Sequence, residues 1–137
     1  MKIRKAKKDD LKEIDNVYVK SATDEVSLYY SGDELKKLIF DFSKYKKERL
    51  IGFRNSILNK STYLIVAENN KKIIGFGEAE INKRDKNQGE ITFIYLDRDF
   101  RGKGIGSKIL KELLKWLKQK HVKNIISGCL KDNISSI

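Results

Sequence analysis

Apolar positions along this chain change their period several times, and each change marks an element. Residues 2–6 read as a short strand, and Asp9 or Asp10 follows as a helix N-cap. Leu11, Ile14, Val17 and Tyr18 then recur at helical spacing and predict a first helix to about Lys20. Residues 21–30 are mixed and read as a loop or a broken helix. Ser31-Gly-Asp-Glu34 has the form of a capping box. Behind it Leu35, Leu38, Ile39, Phe42, Tyr45, Leu50, Phe53 and Ile57 keep one face apolar, predicting one long helix or two stacked ones.

Strand signals then take over. Residues 62–68 (TYLIVAE) are β-branched and apolar, Asn69-Asn70 is a turn, and residues 72–81 form the partner strand. After a polar turn over residues 82–89, residues 90–96 are a fourth strand. A helix is expected from Lys103 to about Lys120, with Ile105, Ile109, Leu110, Leu113, Leu114 and Leu117 inward and Lys108, Lys111, Lys115 and Lys118 outward. Residues 123–130 are a fifth strand. The order β-α-α-β-β-β-α-β gives an antiparallel centre with a parallel crossover around the last helix.

Composition narrows the class. A chain of 137 residues suffices for one core, so residues 1–137 read as a single domain. Hydrophobic residues make up 39% and charged residues 36%, a globular balance. No apolar run approaches the ~20 residues needed to span a bilayer, and the basic start lacks the apolar stretch of a secretory signal. One cysteine excludes an internal disulfide and fits a reducing cytoplasm. The net charge of +11 comes from lysines spread along the whole chain, concentrated only at residues 2–8 and 98–103, and reads as a solvated surface. A nucleic-acid-binding protein is the rival that charge raises, but no aromatic-basic motif or recognition helix supports it.

The chemistry concentrates in residues 90–107, EITFIYLDRDFRGKGIGS. An apolar strand runs through a basic, three-glycine turn into an amphipathic helix. A helix start leaves several N–H groups unpaired and carries partial positive charge, and glycines let an anion approach them. Arg101 and Lys103 add full charges, so the turn reads as a phosphate site. The dinucleotide fingerprint fails because Ser107 stands where its third glycine belongs, and the P-loop fails because Gly106 is followed by Ser107-Lys108. The pattern [QR]-x-x-G-x-[GA] fits as Arg101-Gly102-Lys103-Gly104-Ile105-Gly106, which resembles the acetyl-CoA loop of the GNAT N-acetyltransferase superfamily. The element order and the Ile-Ile-Gly-Phe-Gly form of the third strand are similar to that family too, so the resemblance covers nearly the whole chain.

The resemblance implies a three-layer α+β fold, with a mixed, mainly antiparallel sheet and helices on both faces. It implies acetyl-CoA as co-substrate and no metal. The diphosphate would rest on the amides of Gly102, Lys103, Gly104, Ile105, Gly106 and Ser107 beside Arg101. The Leu96 backbone would meet the pantetheine, and the Ile94 N–H would stabilise the developing oxyanion. An alkylammonium has a pKa near 10, so a base must take its proton. Glu90 is the first candidate, eleven residues before Arg101, a spacing similar to that in GNAT members with a strand-borne glutamate base. Strict alternation puts Glu90, Thr92, Ile94 and Leu96 on one face. Glu78 and Glu80 either serve as base, receive a cationic substrate, or simply face solvent.

Cys129 reads as a core residue rather than a nucleophile, and His121 as a cation at a helix end. Tyr29, Tyr30, Phe40, Phe42 and Tyr45 either wall an acceptor cleft or fill core. Asn133 matches an asparagine that opens a further helix in the family and reaches the pantetheine. The tyrosine acid and last strands of the family have no counterpart before Ile137, so the domain reads as truncated, and the general acid is expected beyond residue 137. The implied reaction is direct acetyl transfer to a primary amine of a small molecule or protein in the cytoplasm, by a chain that acts away from membranes and forms a homodimer if it borrows the missing hairpin. A non-catalytic acyl-CoA-binding regulatory module is the rival of another class.

Overall fold

The computed structural model describes residues 1–127. Five strands, β1 (Lys2–Lys5), β2 (Thr62–Asn69), β3 (Lys72–Ile81), β4 (Gln88–Leu96) and β5 (Asn124–Ile126), form one sheet in sequence order. The first three junctions are antiparallel, while β4 and β5 run parallel, joined by the crossover helix α4 (Ile105–Gln119). Between β1 and β2 lie α1 (Leu11–Tyr29), α2 (Gly32–Lys44) and α3 (Lys46–Leu58). The expected three-layer α+β architecture therefore holds.

One core lies between α4 and the sheet, built on Ile109, Leu113, Leu117, Ile65, Ile91, Ile94 and Leu96. Leu110 and Leu114, expected inward, are only half-buried at its edge. The helix can come this close because β3 presents glycines to it. A Cβ at Gly77 would stand 2.6 Å from Ile109 Cγ2 and 3.2 Å from Leu113 Cδ1. The other core is aromatic: Phe76 and Phe53 pack with Ile14, Val17, Leu64 and Val66 under α1 and α3. Tyr18 meets Tyr95 edge-on at 5.3 Å, and Phe53 meets Phe76 at 5.5 Å. Across the two helices, Asp15 accepts from Arg49 Nε at 2.8 Å and Nη2 at 3.3 Å, and Arg49 also lies over the Tyr18 ring.

Four sequence expectations are corrected here. Residues 21–30 are neither a loop nor a broken helix, since α1 continues unbroken to Tyr29. Small Ser21 and Ala22 fit against the sheet, and the Ser21 hydroxyl donates to the Leu96 carbonyl at 3.3 Å. Ser31 stands before α2 without a side-chain cap. A side-chain cap forms instead at Asp10, whose carboxylate accepts from the Lys7 N–H at 2.7 Å and is tied by Arg4 to Glu68. The hairpin turn sits one residue later than Asn69-Asn70, at Asn70 and Lys71, both at positive φ (51° and 64°) as a two-residue hairpin of this twist requires. Finally, α2 buries none of its apolar residues and α3 only Phe53, so Tyr29, Tyr30, Phe40 and Tyr45 are exposed rather than core, and Phe42 alone of that group packs inward, on Tyr18.

Candidate acetyl-donor and amine site

The site is organised by one extra residue in β4. Glu78 pairs with Phe93 and Ala79 with Ile91, so Thr92 is bulged out of the ladder. The bulge reverses the alternation. Ile91, Ile94 and Leu96 pack toward α4, whereas Phe93 and Tyr95 pack toward α1 and α3. Gly75 and Gly77 look onto α4, which turns Phe76, Glu78 and Glu80 to the α1–α3 side. Glu90, directly opposite Glu80, shares that side. The expectation that Glu90, Thr92, Ile94 and Leu96 line one face is overturned, because a bulge shifts the period by one.

The same register fixes where the β4 main chain points. The Asp97 N–H donates to the Ile74 carbonyl at 2.7 Å, while Leu96 stands opposite Gly75. That geometry makes Leu96–Gly75 a non-hydrogen-bonded pair, and Ile94–Gly77, two residues back, is another. The N–H and C=O of Ile94 and Leu96 therefore point away from β3, toward the β5 side. Among the described residues β5 pairs with β4 only from Gln88 to Glu90. The Leu96 carbonyl meanwhile accepts from Ser21 Oγ and, at 3.2 Å, from Arg101 Nε.

Beyond Leu96 a short 3-10 turn (Arg98–Phe100) is capped by Asp97, whose carboxylate accepts from the Asp99 N–H at 3.1 Å. Asp97, which sequence reading passed over, is buried and anchors the entry to the loop. Gly102 and Gly104 then take φ of +76° and +80°, conformations that a Cβ strains. A Cβ at either would meet no atom within 4 Å, so the space before the loop is open. The helix begins at Ile105, two residues later than expected, with Gly104 as its N-cap. Its first internal bond runs from Lys108 N–H to the Gly104 carbonyl, leaving the amides of Ile105, Gly106 and Ser107 without intrahelical partners. Lys103 stands over the Phe100 ring at 5.4 Å. This set of amides and cations suits a diphosphate.

Residues 13–137 match the sequence profile of the Acetyltransferase (GNAT) family. The chain belongs to this family. An uncharacterised N-acetyltransferase of Archaeoglobus fulgidus is 29% identical over 128 residues, spanning 90% of this chain and 78% of that protein. Among solved structures, the PaiA N-acetyltransferase of Thermoplasma acidophilum in complex with coenzyme A is 27% identical, with a TM-score of 0.70 over 88% of this chain and 74% of its own. A GNAT-family acetyltransferase of Staphylococcus aureus shares the fold, with a TM-score of 0.72 at 18% identity, over 98% of this chain and 77% of its own.

Within this GNAT acetyltransferase the three candidate carboxylates differ. Glu90 is exposed, while Glu78 is only 5% exposed. Burial raises the Glu78 carboxyl above its ordinary 4.5. The Ser56 and Thr92 hydroxyls oppose that rise, and the nearby charges of Glu80 and Glu90 add to it. Thr92 Oγ1 lies near enough to act on this carboxylate, and it is buried with no other hydrogen-bond partner among the described residues. Sequence reading missed Ser56, Thr92 and Ser21, because only the bulge and the helix packing bring them to the site. Cys129 and Asn133 lie outside the described residues. No described helix is long and apolar enough to cross a membrane.

Proposed function

We propose that this GNAT acetyltransferase moves the acetyl group of acetyl-CoA directly to a primary amine of a small molecule or protein, in the cytoplasm, with no covalent enzyme intermediate. One observation carries the reading: β4 turns the Ile94 and Leu96 main chain away from β3 and then leads straight into the Arg101–Ser107 cradle. Acetyl-CoA supplies the acyl group as a thioester. The loop amides with Arg101 and Lys103 hold its diphosphate, Leu96 aligns the pantetheine, and the Ile94 N–H stabilises negative charge on the acyl oxygen. A carboxylate on the α1–α3 side takes the proton that an ammonium must lose before it attacks. The complex of a relative with coenzyme A supports the donor.

Acetyl-CoA is expected to raise the thermal midpoint of the wild type. Gly104→Asp should abolish that rise by setting a carboxylate against the phosphates. A wild type indifferent to acetyl-CoA removes the donor site from this reading.

A further inference from the structure

Three glutamates stand in a row on the α1–α3 side of the sheet: Glu78 and Glu80 on β3, and Glu90 opposite Glu80 on β4. The chain holds 30 Lys and Arg against 19 Asp and Glu. Even so, no ion pair among the described residues involves any of the three. They also form no group placed to hold a metal ion. Like charges directly across a ladder are destabilising. A row that no cation among the described residues neutralises therefore suits a cationic ligand.

Position along the strands separates the three. Glu90 precedes Ile94 by four residues, one of them bulged, which puts their Cα atoms roughly 10 Å apart at ~3.3 Å per step. Glu78 adjoins Gly77, the residue opposite Ile94, so its Cα lies roughly 5–6 Å from that of Ile94. Thr92 belongs to β4, between β3 and the β5 side where the Ile94 N–H points. Its hydroxyl is buried beside the Glu78 carboxylate with no other hydrogen-bond partner among the described residues, so its oxygen keeps an acceptor place open, and such unfilled places on buried polar atoms are few in folded proteins. A bound ammonium N–H is a donor of the required kind. Beside this point Phe93 and Tyr95 supply an aromatic floor, on which a cation is also favoured.

We propose that Glu78, not Glu90, accepts the proton of the acceptor amine, with the Thr92 hydroxyl bridging carboxylate and nitrogen. This rests on the amine-acetylation reading above. The step is balanced: the ammonium gives one proton to the Thr92 oxygen while the Thr92 hydroxyl proton passes to Glu78. An ammonium–carboxylate pair becomes a neutral amine and a carboxylic acid, and Glu78 later returns its proton to water. The groups bearing on Glu78 are Glu80 from β3, Glu90 and Thr92 from β4 and Ser56 from α3. Leu64 faces it from β2. Asp15 of α1 and Arg49 of α3 are engaged with each other. Burial holds the Glu78 pKa above its ordinary value, which makes it a stronger base than an ordinary carboxylate.

The test is thiol release from acetyl-CoA across a panel of primary alkyl- and arylamines, followed as a pH profile. Glu78→Gln is expected to lower kcat roughly 100-fold or more and to erase the acid limb, with partial recovery in Glu78→Asp. Thr92→Val should lose activity that Thr92→Ser retains, and Glu90→Gln should keep the acid limb but move it to lower pH, because a charge that raises Glu78 is gone. Folding is controlled through the thermal midpoint. A carboxyl whose pKa is raised by folding costs stability only above its ordinary value, so Glu78→Gln should equal or exceed wild type at pH 7 and lose that advantage as pH falls toward 4.5. A Glu78→Gln enzyme with full turnover and an intact acid limb overturns the assignment while amine acetylation stands. A wild type that turns over no amine overturns both.

Discussion

Along the α4 side of the sheet, Gly77 and Gly89 let the helix descend until an added Cβ would lie 2.6–2.8 Å from Ile109 or Leu117. On the α1–α3 side the strands present Phe76, Phe93 and Tyr95, and the covering helices are clamped by Asp15 and Arg49. The first side closes by removing side chains, and the second by filling space with rings and one buried ion pair. The difference shows where chemistry can sit. A gapless apolar contact positions a loop through its backbone, whereas an aromatic floor with hydroxyls and carboxylates leaves room to receive a polar ligand. The donor cradle grows from the end of α4, and the acidic row stands on the opposite side.

Three measurements press on this contrast. The largest effect is expected from Arg49→Met, which strands the Asp15 carboxylate in a site where it is 2% exposed. Losing one partner of a buried pair costs about 3–5 kcal/mol, readable as a lower denaturant midpoint. A loss under 1 kcal/mol means the clamp does not hold that side. Gly77→Ala should cost less, about 1–3 kcal/mol from overpacking against Ile109 and Leu113. If calorimetry shows it neutral or stabilising, the close approach of α4 is not a constraint.

The smallest effect concerns acid. Arg4 hydrogen-bonds the Asp10 carboxyl and holds it below its ordinary 3.8, so its contribution is complete above that value and is lost as pH falls through the lowered native one. Asp10→Asn should flatten that part of the stability–pH curve. Glu78 behaves oppositely, its penalty vanishing as pH falls, and pH-scanned unfolding of the two single variants separates the signs.

Much of this was readable from the chain because the signals are local. The stripe Ile105, Ile109, Leu113, Leu117 announces α4, and the spacing Arg101-Gly102-Lys103-Gly104-Ile105-Gly106 announces the cradle before any strand is paired. The site's other half was not readable. A bulge at Thr92 leaves no mark in an EITFIYL run, since every residue there suits a strand on either side. The extension of α1 was hidden because Ser21 and Ala22 look like loop residues until the sheet behind them makes small size an advantage. Lys71 at positive φ likewise follows from hairpin twist rather than from any turn preference of lysine.

The bulge also imposes a constraint on how this strand can change over generations. Drawing Thr92 back into a regular ladder while Ile94 and Leu96 stayed docked would turn the first half of β4 over. Ile91 would face the acceptor side, and Glu90 would be driven as a bare charge into the dry layer beneath Leu113 and Leu117. Losing the Thr92 codon, by contrast, would straighten the ladder and leave Ile91 and Glu90 on their present sides, so descendants of this chain can shed that residue whole but cannot absorb it into the pleat.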